Sequence, residues 1–389
     1  MINTSKPSIV VVAYNRPLSL KRLLNSLKNA DYSDHRDINL IISIDKSDIK
    51  EVVLTAIEFD WAYGKKTIIE HDTKLGLRKH IISCGDLTNE YDSVIILEDD
   101  LFVSPQFYLY CIQSLLTYND DPKIAGISLY AYRINEISNL FFLPIEDGWE
   151  NYFIQFASSW GQIWTTNQWE CFKNWYEKNQ IISDFIPIPT QVRKWSEQSW
   201  KKFYIAYLVE TNKYFVFPRI SLTTNFSSDA GTHLSQMPND NFQVPLLLKY
   251  KNLNFSKFNE SLAVYDSYFE IKAYCIKKLN PFLEKYDFEC DLYGMKSDIH
   301  IKTPFLISTR NCSKPILNFG LHQIPLELNI IFNVQGEDCY LGQKEHFSKL
   351  GKIKFFKIAA ILHYRFRLAK YFYLFFIALL DRVKNIWSK

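Results

Sequence analysis

Three consecutive acids, Glu98-Asp99-Asp100, are the residues of this 389-residue chain that are best suited to chemistry. They follow the apolar run Ser93–Leu97, which is typical of a buried strand. Carboxylates so close together repel one another, and a divalent cation such as Mn²⁺ or Mg²⁺ would relieve that repulsion. A cation in such a site holds the diphosphate of a nucleotide donor while the diphosphate leaves with growing negative charge. The alternative interpretation is a solvated acidic turn.

The elements around this triplet indicate a parallel sheet. Five short apolar runs alternate with helical patterns, and they are too continuous to be half-exposed strands. One intervening helix opens at Pro17 and places its leucines on one face. We therefore predict an α/β, Rossmann-like fold with a mostly parallel sheet, helices on both faces, and ligands at the carboxyl ends of the strands. The runs are Ile9–Val12, Leu40–Ile44, Thr67–Ile69, Val94–Leu97 and Ile124–Ile127.

The chain divides into three predicted regions. Residues 1–245 form the α/β domain, with a nucleotide-sugar-binding half at 1–130 and an aromatic-rich acceptor half at 131–245. Residues 246–348 are mixed in character and receive no chemical role. From Lys349 to Lys389, ten Lys or Arg residues accompany the single acid Asp381, and the longest uncharged run, Tyr371–Leu380, is ten residues long. Crossing a bilayer takes about 20 residues, so this basic amphipathic helix is expected to lie on an anionic membrane surface. The alternative is that it packs back onto the α/β domain.

Composition narrows the partners and the compartment. A net charge of +3 gives no reason to expect nucleic acid, whose partners carry a large basic surface. Seven scattered cysteines without a CxxC pair indicate a reducing compartment. The polar start, Met1–Lys6, does not read as a signal peptide. We expect a cytoplasmic protein that is peripheral on the inner face of the cytoplasmic membrane.

The ordered motifs resemble a known family. In order and spacing they are similar to GT-A glycosyltransferases of the bacterial family-two type, and also to those of the N-acetylglucosaminyltransferase I type. The resemblance covers about Ser8 to His233. Its carriers are Ser8–Pro17, Ile44-Asp45, Leu75–Arg78 and Val94–Leu101.

The resemblance assigns roles residue by residue. It implies that Asp100 is the direct metal ligand, and that Glu98 and Asp99 touch the donor ribose, the donor sugar or metal-bound water. Asp45 would contact the base or ribose, and Arg16 the diphosphate, whose oxygens an arginine fork matches well. Their alternative roles are a turn cap and a surface charge, respectively. The remaining donor-binding candidates are Tyr14, Arg78, Gly161, whose lack of a side chain lets backbone approach the sugar, and His233, which would reach the diphosphate or metal.

One position departs from the family. Relatives carry an acid just after a tryptophan, as the candidate base that takes the proton of the acceptor hydroxyl. Here Trp200 is followed by Lys201 and Lys202. Glu197 is the nearest carboxylate and is our candidate catalytic base. Its alternative role is a solvated glutamate at a helix start.

These observations predict a metal-dependent, inverting glycosyltransferase, with the stereochemistry implied by the resemblance alone. The donor would be a nucleotide-diphosphate sugar, a UDP-sugar, and the acceptor a hydroxyl of a cell-surface glycan or a lipid-linked molecule. A nucleotidyltransferase is the competing enzyme, but Tyr14–Pro17 lacks the glycine-rich loop of that class. A non-catalytic carbohydrate-binding or scaffold protein of a glycan assembly complex is the alternative outside enzymes. Such a binder has little use for a buried metal cluster.

Overall fold

The computed structural model describes residues 6–226, 242–249 and 251–349. The strands are β1 (Ser8–Ala13), β2 (Leu40–Ile44), β3 (Lys66–Glu70), β4 (Ser93–Glu98), β5 (Leu101–Val103), β6 (Ile124–Ser128), β7 (Ile134–Asn135), β8 (Leu140–Phe141), β9 (Asn151–Ile154), β10 (Gln162–Thr165), β11 (Tyr214–Pro218), β12 (Thr223–Asn225), β13 (Val264–Tyr265), β14 (Phe288–Asp291), β15 (Phe305–Ser308), β16 (Leu317–Phe319) and β17 (Cys339–Gln343).

The helices are α1 (Pro17–Lys28), α2 (Lys50–Glu58), α3 (Leu77–Asp86), α4 (Thr88–Tyr91), α5 (Phe107–Tyr118), α6 (Thr166–Lys178), α7 (Thr190–Arg193), α8 (Lys201–Glu210), α9 (Ala273–Leu279) and α10 (Glu327–Ile331). Short 3₁₀ turns occupy Pro281–Leu283, Asp298–His300 and Lys344–His346.

A nine-stranded sheet forms the centre of the fold, in the order β13-β9-β11-β6-β10-β4-β1-β2-β3. Strands β3, β2, β1 and β4 are mutually parallel, and β11 is parallel to β6. Strand β10 runs antiparallel to both β4 and β6, and β9 runs antiparallel to β11. The predicted α/β class with a mostly parallel sheet is therefore confirmed.

The apolar runs form the inner strands because they are covered on both faces. Every residue of β1, β2 and β6 is buried. Helix α1 begins at Pro17, and its leucines at 20, 23, 24 and 27 are all buried. Proline suits this first helical position because its missing N–H would have no partner there. The spacing of these leucines therefore accounts for the face that α1 turns towards the core.

A second, two-stranded sheet lies directly after the triplet. Strand β12 pairs antiparallel with β5, with Asn225 opposite Leu101. Just beyond it, the backbone N–H of Phe226 donates to the carbonyl oxygen of Asp100 at 2.9 Å. A segment more than a hundred residues later in the chain therefore fixes the backbone on the far side of the triplet.

The predicted boundary at 245 does not coincide with the end of the central sheet. Strand β13 pairs with β9 and so extends that sheet to Tyr265. The region beyond it contains a four-stranded sheet in the order β14-β15-β17-β16. Its buried side chains, including Ile330 and Leu341, belong to the same hydrophobic core as the strands of the first domain. The mixed region thus packs onto the α/β domain.

The predicted membrane helix at 349–389 lies outside the described residues, apart from Lys349. Among the helices that the structure describes, none has the length and apolarity needed to cross a bilayer.

Candidate active site

The acidic triplet sits where β4 ends, at the carboxyl edge of the parallel strands. The backbone N–H of Asp99 donates to the carbonyl of Val12 at 3.0 Å, which ties the triplet to the end of β1. Strand β1 leads into Arg16, which lies immediately before helix α1. The strand order thus brings together two segments that are more than eighty residues apart, as predicted for ligand sites in open α/β sheets.

Arg16 bridges two of the three acids. One guanidinium nitrogen, Nη2, pairs with Oδ1 of Asp99, and the other, Nη1, lies 3.2 Å from Oδ2 of Asp100. Burial acts to lower the pKa of Arg16, but the charges of Asp99 and Asp100 outweigh it and raise the pKa. The fork geometry of the guanidinium suits paired oxygen acceptors, whether carboxylate or phosphate.

Glu98 is the unsatisfied member of the triplet. Burial, reinforced by the charges of Asp100 and Asp99, raises the pKa of Glu98 to about 8. Burial also raises the pKa of Asp99 to about 6, with Arg16 opposing it. The Oε1 atom of Glu98 is buried and accepts no hydrogen bond from any described residue. A buried acceptor without a donor is costly.

The triplet fits a divalent cation whose remaining ligands are supplied by the substrate. Within the described ranges, no group of three His, Cys, Asp or Glu residues forms a ready-made metal cage. Mg²⁺ in phosphate-transfer sites is instead held by one or two carboxylates together with substrate phosphates and water. Asp100, which is partly exposed, and the unpartnered Oε1 of Glu98 supply such a pair.

Asp45 holds the loop that leads into helix α3. It is only 4% exposed. Its Oδ1 accepts from the backbone N–H of Lys46 at 2.9 Å and of Leu75 at 2.7 Å, and its Oδ2 accepts from that of Gly76 at 2.9 Å. A carboxylate offers about four acceptor positions, so one remains for a ligand. The alternative role weighed from sequence, a turn cap, describes these contacts well.

Arg78 and Tyr14 flank the same edge of the sheet. Arg78 lies in the first turn of α3, with its guanidinium 5.0 Å from the ring centre of Phe203. The ring of Tyr14 lies 4.9 Å from the ammonium of Lys74. The backbone of Tyr14 also hydrogen-bonds Asp99, which lowers the pKa of that acid. Tyr14 is therefore joined to the triplet directly.

Gly161 packs against the strand that carries the triplet. Its φ is +93°, a conformation that favours glycine. A β-carbon there would meet Cγ2 of Thr223 at 3.0 Å and Cδ2 of Leu97, the residue before Glu98, at 3.3 Å. The close neighbours of Gly161 in the structure are protein side chains, and the approach of its backbone to the donor sugar stays a prediction.

The two lysines after Trp200 form separate ion pairs. The ammonium of Lys202 lies 2.5 Å from Glu197, whose side chain is 77% exposed. A hydrogen bond from Lys202 lowers the pKa of Glu197, and the charge of Arg78 adds to this. The ammonium of Lys201 instead contacts Glu136, with 2.7 and 2.8 Å to its two oxygens.

Glu136 is the residue that the sequence analysis missed. It belongs to no motif, and it follows Tyr132 in a stretch whose strand rhythm has broken. The signal that would have found it is indirect. Lys201 is buried, and a buried ammonium requires a nearby counter-charge. His233, the last candidate from the sequence, lies outside the described residues.

Together, the strand order and the acidic edge define a GT-A nucleotide-sugar fold. Residues 8–168 match the sequence model of the family described as "Glycosyl transferase family 2". The predicted GT-A glycosyltransferase resemblance is confirmed. A comparison with curated protein sequences found no significant match.

Solved structures give more distant similarities. TarS from S. aureus in complex with UDP-GlcNAc is 13% identical, with a TM-score of 0.38 over 58% of this chain and 60% of that one. The mannosyltransferase PcManGT from Pyrobaculum calidifontis, in complex with GDP-Man and Mn²⁺, is 12% identical, with a TM-score of 0.31 over 44% and 47%. GalNAc-T7 with UDP, GalNAc and Mn²⁺ is 13% identical, with a TM-score of 0.41 over 58% and 44%. The chain thus spans about three fifths of the TarS chain it matches.

Proposed function

We propose that this protein is a metal-dependent, inverting glycosyltransferase. It moves a sugar from a UDP-sugar to a hydroxyl of a surface glycan or a lipid-linked acceptor. The observation that carries the proposal is the unpartnered, buried carboxylate oxygen of Glu98 beside Asp100, inside the part of the chain that matches the glycosyl transferase family 2 model. Mn²⁺ or Mg²⁺ bound there would neutralise charge on the departing diphosphate.

The protein's own residues then have distinct tasks. Asp100 and Glu98 would hold the cation, and Asp99 keeps Arg16 at the edge of the site through their ion pair. The Nη1 atom of Arg16, 3.2 Å from Asp100, would contact the diphosphate once Asp100 is engaged by the cation. A guanidinium suits this exchange because it binds carboxylate and phosphate oxygens in the same geometry.

The remaining donor contacts follow from the fixed loops. Asp45 uses its free acceptor position for the base or ribose while it orients the turn before Arg78. Tyr14 lies beside the triplet, and Gly161 keeps the space between β4 and β12 narrow. His233 is assigned to the diphosphate or metal.

The helix at 349–389 is proposed to bring the site to the anionic inner face of the cytoplasmic membrane. Its basic and aromatic residues suit headgroup depth. The competing function is a non-catalytic glycan binder, and the observation that favours it is the presence of Lys201 in the position of the family's acid.

A donor panel tests the proposal. Purified full-length protein is incubated with UDP-glucose, UDP-galactose, UDP-GlcNAc or UDP-GalNAc, with Mn²⁺, Mg²⁺ or EDTA, and release of UDP into water is measured. We expect metal-dependent release with at least one donor, and a thermal shift with UDP that requires the metal. Asp100→Ala should remove both while the protein stays folded. A wild-type protein that bound UDP yet released none from any donor would favour the non-catalytic binder.

A further inference from the structure

Lys201 and Glu136 form a nearly buried ion pair. Lys201 is the first residue of α8 and follows Trp200. An ammonium has no lone pair and cannot accept a proton. The proton of an acceptor hydroxyl must therefore go to another group, and the group that Lys201 binds is a carboxylate.

Glu136 is held in one orientation by two neighbours. Both of its oxygens accept from the Lys201 ammonium, at 2.7 and 2.8 Å. The hydroxyl of Tyr132 donates to Oε1 at 2.6 Å. Oε2 accepts only from the ammonium among the described contacts, so it keeps acceptor capacity for an incoming hydroxyl. The Glu136 side chain is 13% exposed and that of Lys201 9%, so the carboxylate is fixed but still reachable.

This pair is linked to the triplet through the segment Trp160-Gly161. The ammonium of Lys201 lies 5.6 Å from the ring centre of Trp160. Trp160 precedes Gly161, which packs against the end of β4. The carboxylate thus belongs to the same wall of the site as the segment that approaches the triplet.

Aromatic rings shield the pair from bulk water. Besides Trp160, the rings of Phe156, Trp195 and Tyr132 lie 4.8, 5.3 and 5.9 Å from the ammonium. A charge pair in such surroundings interacts more strongly than one in water. Ring faces of this kind also suit the apolar faces of sugar rings.

Glu197, the candidate from sequence, differs from Glu136 in exposure. The side chain of Glu197 is 77% exposed, against 13% for that of Glu136. An exposed carboxylate stays hydrated, and hydration weakens it as a base.

We propose that Glu136 is the catalytic base, and that Lys201 is the residue that positions it. The proposal rests on the proposed glycosyltransferase function. The acceptor oxygen forms its bond to the anomeric carbon as the bond from that carbon to the phosphate oxygen breaks. The hydroxyl proton passes to Oε2 of Glu136, and UDP carries away the bonding electron pair.

The test compares three carboxylates, each paired with a lysine. Glu136→Gln, Glu197→Gln and Glu289→Gln each remove one negative charge. Glu289 lies 3.2 Å from Lys296 in the region after residue 265 and serves as the control. Water is the acceptor, the donor is whichever UDP-sugar the wild-type protein hydrolyses with Mn²⁺, and the readouts are kcat, KM and the UDP thermal shift.

We expect Glu136→Gln to lower kcat by about 10²- to 10⁴-fold, while KM for the donor and the UDP thermal shift stay near wild type. Glu289→Gln should keep wild-type turnover. Lys201→Met should also lose kcat, and Lys201→Arg should recover part of it, because arginine can still hold the carboxylate.

Two results would overturn the assignment of Glu136. One is a kcat of Glu136→Gln within about threefold of wild type, and the other is a large loss in Glu197→Gln alone. Neither affects the proposed function if Asp100→Ala is inactive. Absence of UDP release by the wild-type protein with every donor would instead remove the proposed function, and with it this inference.

Discussion

Replacing Asp45 by asparagine should loosen the turn before α3, and the structure sets the size of the effect. The Asp45 carboxylate accepts three backbone hydrogen bonds, from Lys46, Leu75 and Gly76. In Asp45→Asn the single oxygen can keep the first two, but the amide NH₂ then faces the N–H of Gly76, and two donors oppose each other. A hydrogen bond to a charged group contributes about 1.5–3 kcal/mol, and an unpaired donor adds to the loss. We expect the free energy of unfolding to fall by about 2–4 kcal/mol.

Thermal and urea denaturation measure this loss directly. A change of that size corresponds to a fall in Tm of about 2–5 °C in a protein of this length. Asp72→Asn is the matched control, because Asp72 is exposed just before the same turn and should change stability by no more than about 0.5 kcal/mol. Unchanged unfolding of Asp45→Asn together with weaker UDP binding would refute the reasoning, because Asp45 would then act on the donor and not on the turn.

Two further predictions concern the glycine beside the triplet and the basic end of the chain. Gly161→Ala should lose about 1–3 kcal/mol of stability and lower UDP release, because the new β-carbon meets Thr223 and the backbone has a positive φ. Gly148→Ala is the control: its φ is also positive but the space around it is open, so it should show only the smaller backbone cost in the same denaturation assay. Equal losses in both variants would contradict the packing argument. The full chain should float with anionic vesicles, because each basic residue near the surface contributes about 1 kcal/mol, and it should lose much of that binding in high salt. A version ending near Gly351 should stay in solution. Equal flotation of the two versions would show that residues 352–389 are not the membrane anchor.

The strands and the acidic edge were predictable because they depend on local pattern. Continuous apolar runs specify strands that are buried on both faces, and the carboxyl ends of such strands meet at one edge. The triplet and Arg16 could therefore be brought together from sequence alone. Their mutual ion pairs could not, because Arg16 was expected to face a diphosphate, and in the structure it neutralises Asp99 and Asp100.

The Lys201–Glu136 pair was harder to predict because its two residues are far apart in the sequence. Glu136 and Lys201 are 65 residues apart and share no motif, so only the three-dimensional structure pairs them. The sequence favours Glu197 because it lies one helical turn before Lys201. The two adjacent lysines contact different carboxylates, and proximity along a helix does not reveal which lysine faces the site.

Strand β11 has a consequence for how the chain is synthesised. It lies in the interior of the central sheet, between β6 and β9, although it comes after the end of the family match at residue 168. During synthesis, the edges of β6 and β9 that pair with β11 stay unpaired until Tyr214–Pro218 leaves the ribosome. Unpaired edges of apolar strands promote association with other chains. Before β11 is made, the nascent protein therefore exposes strand edges that a chaperone would protect. An expression fragment that ends at residue 168 would lack β11 and would keep these edges exposed permanently.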